Sequence, residues 1–386
     1  MSPGPSLSGV RLGFVLFGGF WGTWAVAALD IQGFLGLSNA GLGVLVASTV
    51  IGTSVANMAG GALAERRGTA RGSATSLAVW GGLVLLLAAL PRPGMWMAGF
   101  LAVVAAGGML DVVLNVASTA ALSDRPGALL RVHASYNVGT ILGAAAAGAT
   151  LALLDTWRWP LAAVGVGSLV LAARIGTGAV EIPAAPSAGH ASLRDAIVEV
   201  HRSGLVGMAV AFALGAMVEG GIGTFGVLYL RDQLEVAVLA GAGAYVVGQA
   251  LATTTRFALG SARAGAHLNG PMPARVGLFV AGVGLLIEAA TSRAGVAAIG
   301  LAVASIGAAT YWPLLSALAT RASERPGLAV GGVSAAGYLG FLAGPPIVGA
   351  IAEGAGLRAG VLALAFTGMA AAAVPLGAAA RSLSRT

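Results

Sequence analysis

The sequence predicts an all-α membrane protein, with twelve transmembrane helices in two pseudo-symmetric six-helix halves. Three observations predict it. Of the 386 residues, 57% are hydrophobic and 9% charged, whereas a water-soluble domain has about a quarter of its residues charged. Apolar runs of the roughly 18 residues that read as bilayer-spanning helices recur along the whole chain. Small-residue patterns return at a spacing of 200 or 201 residues. The net charge of +7 lies in short connections and is carried by arginine alone. Membrane topology therefore explains it, and no nucleic-acid partner is implied. The absence of cysteine excludes disulfides, thiolate metal sites and cysteine nucleophiles.

In chain order the spans are expected at about 11–32, 40–63, 73–90, 95–122, 132–154 and 159–176, then 204–230, 236–258, 274–290, 294–320, 328–352 and 358–380. Arginines punctuate them. Arg11, Arg66, Arg67, Arg71, Arg125, Arg131, Arg174, Arg194, Arg202, Arg256, Arg263, Arg275, Arg321, Arg325, Arg381 and Arg385 fall on one side. Arg92, Arg158, Arg231, Arg293 and Arg358 fall on the other. This bias places both termini in the cytoplasm. Trp96, Trp157 and Trp159 then sit at the outer boundary, where indoles favour the headgroup zone. The N-terminus has neither a basic n-region nor a small-residue cleavage site, so no removable signal is expected.

One connection is long, Thr177 to Ser203. Its Pro/Ala/Ser-rich start reads as flexible, and SLRDAIVEVHR as a short amphipathic helix along the cytoplasmic face. His190 and His201 lie there as solvated surface residues. The expected domains are thus 1–176, a linker 177–203, and 204–386. The repeat supports the division. Gly139, Gly143 and Gly148 match Gly340, Gly344 and Gly349, Gly107 matches Gly307, and Ala40–Gly43 matches Ala240–Gly243. Two parallel halves of six helices place a solute site near the midplane between them.

Polar residues inside apolar spans are the functional candidates, because none can face lipid cheaply. Asp111 and Asn115 are four apart on one helix face, and His133 and Asn137 repeat the spacing on the next span. Glu219 lies mid-membrane beside Gly220, Gly221, Gly223 and Gly226. An isolated carboxylate at that depth reads as a proton carrier. Asp111 reads as a second proton-coupling acid or a structural one. Asp30 and Glu288 read as interfacial acids near span ends. Trp21, Trp24, Tyr245, Gln249, Tyr311, Trp312 and Tyr338 join Asn115, His133 and Asn137 as candidate cavity walls, suited to sugars, nucleosides or other small polar organics. No phosphate loop, metal-binding set or nucleophile elbow occurs. No enzyme activity, cofactor or metal is expected.

The connection after the second span reads Gly61-Ala-Leu-Ala-Glu65-Arg66-Arg67-Gly68-Thr-Ala-Arg71. It resembles the cytoplasmic loop signature of the major facilitator superfamily, with Glu65 where that family usually has Asp. The stretches LGLSNAGLG (35–43) and GYLGFLAGPPIVGAIAE (337–353) are similar to that family too. DVVLN, RVHASYNVG and EGGIGTFGVLYLR resemble a poorly characterised bacterial branch of it. The family's frequent arginine in the fourth span is absent, with Asp111 in that region, and Gly143-Ala144 stands where drug/proton antiporters carry Gly-Pro. The resemblance implies a cytoplasmic gate at Gly61, Glu65, Arg66, Gly68 and Arg71. It also implies a multi-pass monomer of the bacterial cytoplasmic (inner) membrane. The expected activity is secondary active transport by alternating access, with protons and a small-molecule substrate as partners and the lipid bilayer as host. Drug or metabolite efflux by antiport is the alternative, and a non-transporting sensor or scaffold a distant one.

Overall fold

The computed structural model describes residues 6–122, 126–184, 193–259 and 270–376, and it is helical almost throughout. The chain divides into two compact units, Met1–Gly36 with Leu45–Ala188, and Leu37–Val44 with Gly189–Thr386. Among the described residues nine segments are long and apolar enough to cross a membrane by length and composition. Asn39–Thr49 and Leu357–Ala373 are shorter apolar helices.

In the first unit α1 spans Ser8–Leu35 and is stopped by Gly36, whose φ of 64° is left-handed and whose N–H bonds back to Gln32 and Gly33. Helix α2 runs Asn39–Ala89 but turns at Gly68, with φ 76° and ψ 160°. A glycine takes that conformation without a Cβ clash, so two spans follow one another with almost no loop. Then come α3 (Pro93–Leu122), α4 (Pro126–Leu154) and α5 (Arg158–Gly176). Prolines opening α3 and α4 suit the first helical turn, where no N–H is needed.

Helices α1 and α4 cross closely. A Cβ on Gly18 or Gly22 would strike the backbone of Tyr136 or Thr140, and one on Gly139 or Gly143 that of Val15 or Gly19. With lipid as apolar as the core, such small-residue contact is what holds membrane helices together. An aromatic stack fills the space between α1 and α3. Trp24 lies 4.7 Å from Phe100 and Trp96 5.4 Å from the same ring. Arg158 covers Phe34 and Trp157 and donates to the carbonyls of Ala88 and Leu90 at 3.0 and 2.7 Å.

The stretch after α5 is packed where flexibility was expected. Ile182 and Pro183 are buried, Thr69 donates to the Pro183 carbonyl, and Gly9 leaves room for Glu181 and Ile182. Composition favoured a loose linker; apolar contacts and a backbone acceptor hold this part down.

The second unit begins with α6 (Leu193–Arg202). A span of three pieces follows: α7 (Val206–Gly221), a π-helical turn at Ile222–Gly226, and α8 (Val227–Gln233). It continues with α9 (Val238–Leu259), α10 (Met272–Ala290), α11 (Ala294–Arg321), α12 (Pro326–Ala355) and α13 (Leu357–Ala373). Again glycines set the crossings: Gly340 against Ala213, Gly344 against Met217, and Gly277, Gly284 and Gly307 along the α10–α11 seam. The segment Leu37–Val44 belongs here, with Gly43 against Pro345 and Gly349 against Asn39.

Helix α6 is amphipathic, as its sequence predicts. Arg194, Asp195, Ile197, Val198, His201 and Arg202 are exposed, while Ala196, Glu199 and Val200 are buried. One oxygen of Glu199 accepts hydrogen bonds from Ser203 and Ser323, both at 2.6 Å. Those two bonds, aided by Arg202 and Arg325, hold the Glu199 carboxyl below its ordinary range.

Candidate functional site

Glu219 sits on α7 three residues before the π-helical turn that occupies Ile222–Gly226. Such single-turn bulges recur at functional sites because they re-aim side chains and backbone groups. Neighbours fill the space beside three of the glycines around Glu219, Phe341 at Gly220, Leu364 at Gly221 and Leu301 at Gly226, whereas the space beside Gly223 is open. The carboxylate is therefore the polar feature of an otherwise apolar stretch.

Two residues from other helices reach it. Tyr311 of α11 is buried and donates its hydroxyl to Glu219 Oε2 at 2.8 Å. Arg256, in the last turn of α9, brings a guanidinium nitrogen within 3.7 Å of Glu219 Oε1. The side chains of Arg256 and Glu219 are 12% and 30% exposed.

Arg256 has a second anchor. Its Nε donates to the carbonyl of Ala309 at 3.0 Å. In an α-helix that carbonyl would accept from residue 313, which is Pro313, inside α11. Proline has no N–H to give, so the acceptor is left open and the arginine takes it. The pair Tyr311–Pro313 thus supplies both a hydroxyl for Glu219 and a seat for its cation.

Aromatic rings flank this centre. Trp312 lies 4.4 Å from Phe212, 5.7 Å from Tyr338 and 6.0 Å from Phe341. Phe212 also meets Tyr311 at 5.7 Å. Tyr245 is buried on α9, and the ionisable groups that meet Glu219 are Arg256, Tyr311 and Tyr245. Gln249 shares the helical face of Tyr245. Of the expected residues, the structure brings Glu219, Tyr245, Tyr311, Trp312 and Tyr338 into one region of the second unit.

The first unit has its own polar group. On α3, Asn115 Nδ2 donates to Asp111 Oδ1 at 3.0 Å and to the Asp111 carbonyl at 2.9 Å. Both are half-buried. On α4, Asn137 is buried, and its carbonyl accepts from Thr140 at 2.8 Å. His133 lies against the Phe14 ring at 5.2 Å. Trp21 and Trp24 part company: Trp21 is half-buried, edge-on to Phe17 and Phe20, whereas Trp24 is deep in the Phe100 stack. In the expected gate Arg66, Gly68 and Arg71 are exposed. The surroundings of Gly61 and Glu65, together with His190, lie outside the described residues.

Sequence reading missed Arg256, counting it among the loop arginines. A signal was available, since Tyr245, Gln249 and Arg256 are spaced 4 and 7 apart and share one face of α9. It also placed Glu288 at an interface. In the structure Glu288 is 0% exposed, and neither oxygen has a hydrogen-bond partner among the described residues.

Comparison with known proteins fits this architecture. The profile of the Major Facilitator Superfamily matches residues 12–324. An uncharacterised MFS-type transporter of Yersinia pestis is 27% identical over 97% of this chain and 95% of its own length. A bacterial homologue of the human lysosomal transporter Spinster superposes with a TM-score of 0.76 at 15% identity, covering 98% of this chain and 97% of that one. The nucleoside transporter NupG gives 0.69 at 15%, covering 98% and 99%. The human organic anion transporter MFSD10 gives 0.67 at 16%, covering 95% and 98%. With a family profile across most of its length and this fold, the chain belongs to the major facilitator superfamily of membrane transporters.

Proposed function

We propose that the chain is a proton-coupled secondary transporter that moves a small polar organic solute by alternating access, with Glu219 as its principal proton carrier. The observation that carries the reading is the meeting of α7, α9 and α11 at one carboxylate, through Tyr311 and Arg256. An ionised Glu219 ties these helices by a charge-assisted hydrogen bond and an ion pair. A protonated one cannot hold the arginine in the same way. Protonation therefore biases helix arrangement, as coupling requires. That structural neighbours are named as nucleoside and organic anion transporters supports a solute among the small polar organics.

Asp111 serves as a secondary or structural acid, and Asn115, His133, Asn137 and Trp21 are the first unit's candidates for solute contact. Glu65 and Arg66 act in a cytoplasmic gate, and both termini lie in the cytoplasm of a monomer in the inner membrane. Residues 1–176 and 204–386 are the moving halves, and 177–203 the linker. The absence of native cysteine makes the orientation easy to test. Ser292→Cys is expected to react with an impermeant maleimide from outside and Ile197→Cys only from inside; the reverse pattern overturns the topology.

The function is tested in proteoliposomes loaded with a pH dye and exposed to sugars, nucleosides, amino acids and organic acids. At least one solute is expected to drive proton movement, and Glu219→Gln to abolish it. Concentrative uptake that persists in Glu219→Gln removes Glu219 from the mechanism.

A further inference from the structure

We infer that Glu288 is a second proton-binding site, apart from Glu219, and that its proton keeps one end of the second unit shut. That end carries the α10–α11 connection, which the arginine bias places outside.

Two independent observations meet there. The first is the acid itself. Glu288 lies in the last turn of α10 and is 0% exposed, on the seam where Gly300 of α11 comes against its backbone. Neither carboxyl oxygen has a hydrogen-bond partner among the described residues, and no charged group acts on it. At this end, the charged and titratable groups on the elements around α10 are Tyr229, Arg231 and Asp232 of α8, Arg293 before α11, and Arg358 of α13. Glu219 and Tyr311 belong to the group around Arg256, and Arg321 closes the opposite end of α11. An ionised Glu288 is therefore a bare charge in a low-dielectric seam, which is strongly disfavoured against the neutral acid. The carboxyl holds a proton for as long as the seam is closed.

The second observation is a loose latch at the same place. Arg158 and Arg358 stand 200 residues apart, each at the start of the last span of its half. In the first unit Arg158 bonds directly to free carbonyls at the end of α2, Ala88 at 3.0 Å and Leu90 at 2.7 Å. The counterpart of Ala88 at the 201-residue offset is Ala289, next to Glu288. Its carbonyl accepts from the Tyr229 hydroxyl at 3.4 Å, and Arg358 reaches only that hydroxyl, again at 3.4 Å. Both distances exceed the roughly 2.5–3.2 Å of well-formed bonds. One half thus has a tight clamp beside Leu87, and the other a stretched relay beside Glu288.

Together they make a proton-dependent closure. When Tyr229 leaves Ala289, α8 parts from α10 and water reaches the acid. Glu288 then ionises, and the seam cannot close on the charge. A proton bound in the shut form and released in the open one means that acid favours closure and alkali favours opening. The first unit, with Leu87 at that position, has no such dependence.

The test exploits the absence of native cysteine. Nitroxides at Gln233→Cys and Ser292→Cys, exposed positions at the end of α8 and just past α10, report their separation in the purified full-length protein in lipid nanodiscs. All measurements use the Glu219→Gln background, so that the other acid does not contribute. The separation is expected to lengthen as pH rises from acid to alkaline. Glu288→Gln is expected to lose that shift and keep the short distance, and Arg358→Ala to bring the lengthening to lower pH. Infrared spectra at neutral pH are expected to show the carbonyl stretch of a protonated carboxylic acid that Glu288→Gln removes. Glu288→Leu serves in both measurements if Glu288→Gln does not fold. Absence of that band overturns the proton site. A lengthening that survives Glu288→Gln, or a separation indifferent to pH in the parent, overturns the closure. Neither result bears on Glu219, whose role is read from solute accumulation.

Discussion

The two halves of this transporter repeat the same packing but not the same polar chemistry. In the first, Gly139 of α4 lies on the backbone of Val15; in the second, Gly340 of α12 lies on that of Ala213. Carrying that register along α1 and α7 sets Trp21 opposite Glu219, and the glycine offset in the fourth span of each half sets Asp111 opposite Tyr311. Where one half has a carboxylate bonded to an asparagine one turn along the same helix, the other has a carboxylate that reaches two further helices. An acid shared by three helices changes their attachment when it is protonated. The two halves share a packing scaffold and differ in the polar groups it carries, and the proposed coupling belongs to the second.

The largest effect expected from breaking this asymmetry is functional. Glu219→Gln should reduce proton-driven accumulation in proteoliposomes to background, while Asp111→Asn should retain most of it; equal losses would make the halves equivalent in coupling. Next comes the shared scaffold. Gly139→Val and Gly340→Val each force side-chain atoms onto a facing backbone carbonyl, an overpacking of about 1–3 kcal/mol or more. Both should lower thermal stability in detergent by similar amounts, and a tolerant response at one position alone would end the packing equivalence.

A smaller effect separates Glu288 from its counterpart. At the 201-residue offset of Gly139 and Gly340 it pairs with Leu87, which is likewise 0% exposed. With neither carboxyl oxygen bonded among the described residues, Glu288→Leu should stabilise the second half by about 1–3 kcal/mol, the usual penalty of an unsatisfied buried polar group. A fall in melting temperature would mean that Glu288 is held by something worth keeping.

The smallest effect concerns α6. Hydrogen bonds from Ser203 and Ser323 lower the Glu199 carboxyl in the folded state. Its contribution is therefore complete above the ordinary carboxylate range and is lost as pH falls through the lowered value. A nitroxide at Ile197→Cys should gain mobility on acidification only at that low end. Ser323→Ala should move the onset to higher pH, and mobility indifferent to both would remove the clamp.

The bilayer explains why so much of the fold was legible in sequence. Every backbone polar group in hydrocarbon must be satisfied within its own helix, so a local count of apolar residues locates the spans, and Gly68 and the prolines at helix starts mark their ends. Glu219 was legible for the same reason: a carboxylate deep in an apolar run stands out without knowledge of its neighbours. Its partners did not stand out. Arg256 lies near a helix end, where positive charge is ordinary, and its local context is that of a topological signal. Only tertiary structure brought it against Glu219, because its attachment needs a carbonyl on a third helix left open by Pro313. The packed start of the linker and the burial of Glu288 were hidden likewise, since each depends on which surfaces distant segments present to one another. What the sequence by itself determined is the membrane class, the halves and the conspicuous acid. Which charges meet that acid was decided by helix packing, since contacts between residues far apart in the chain leave no local pattern.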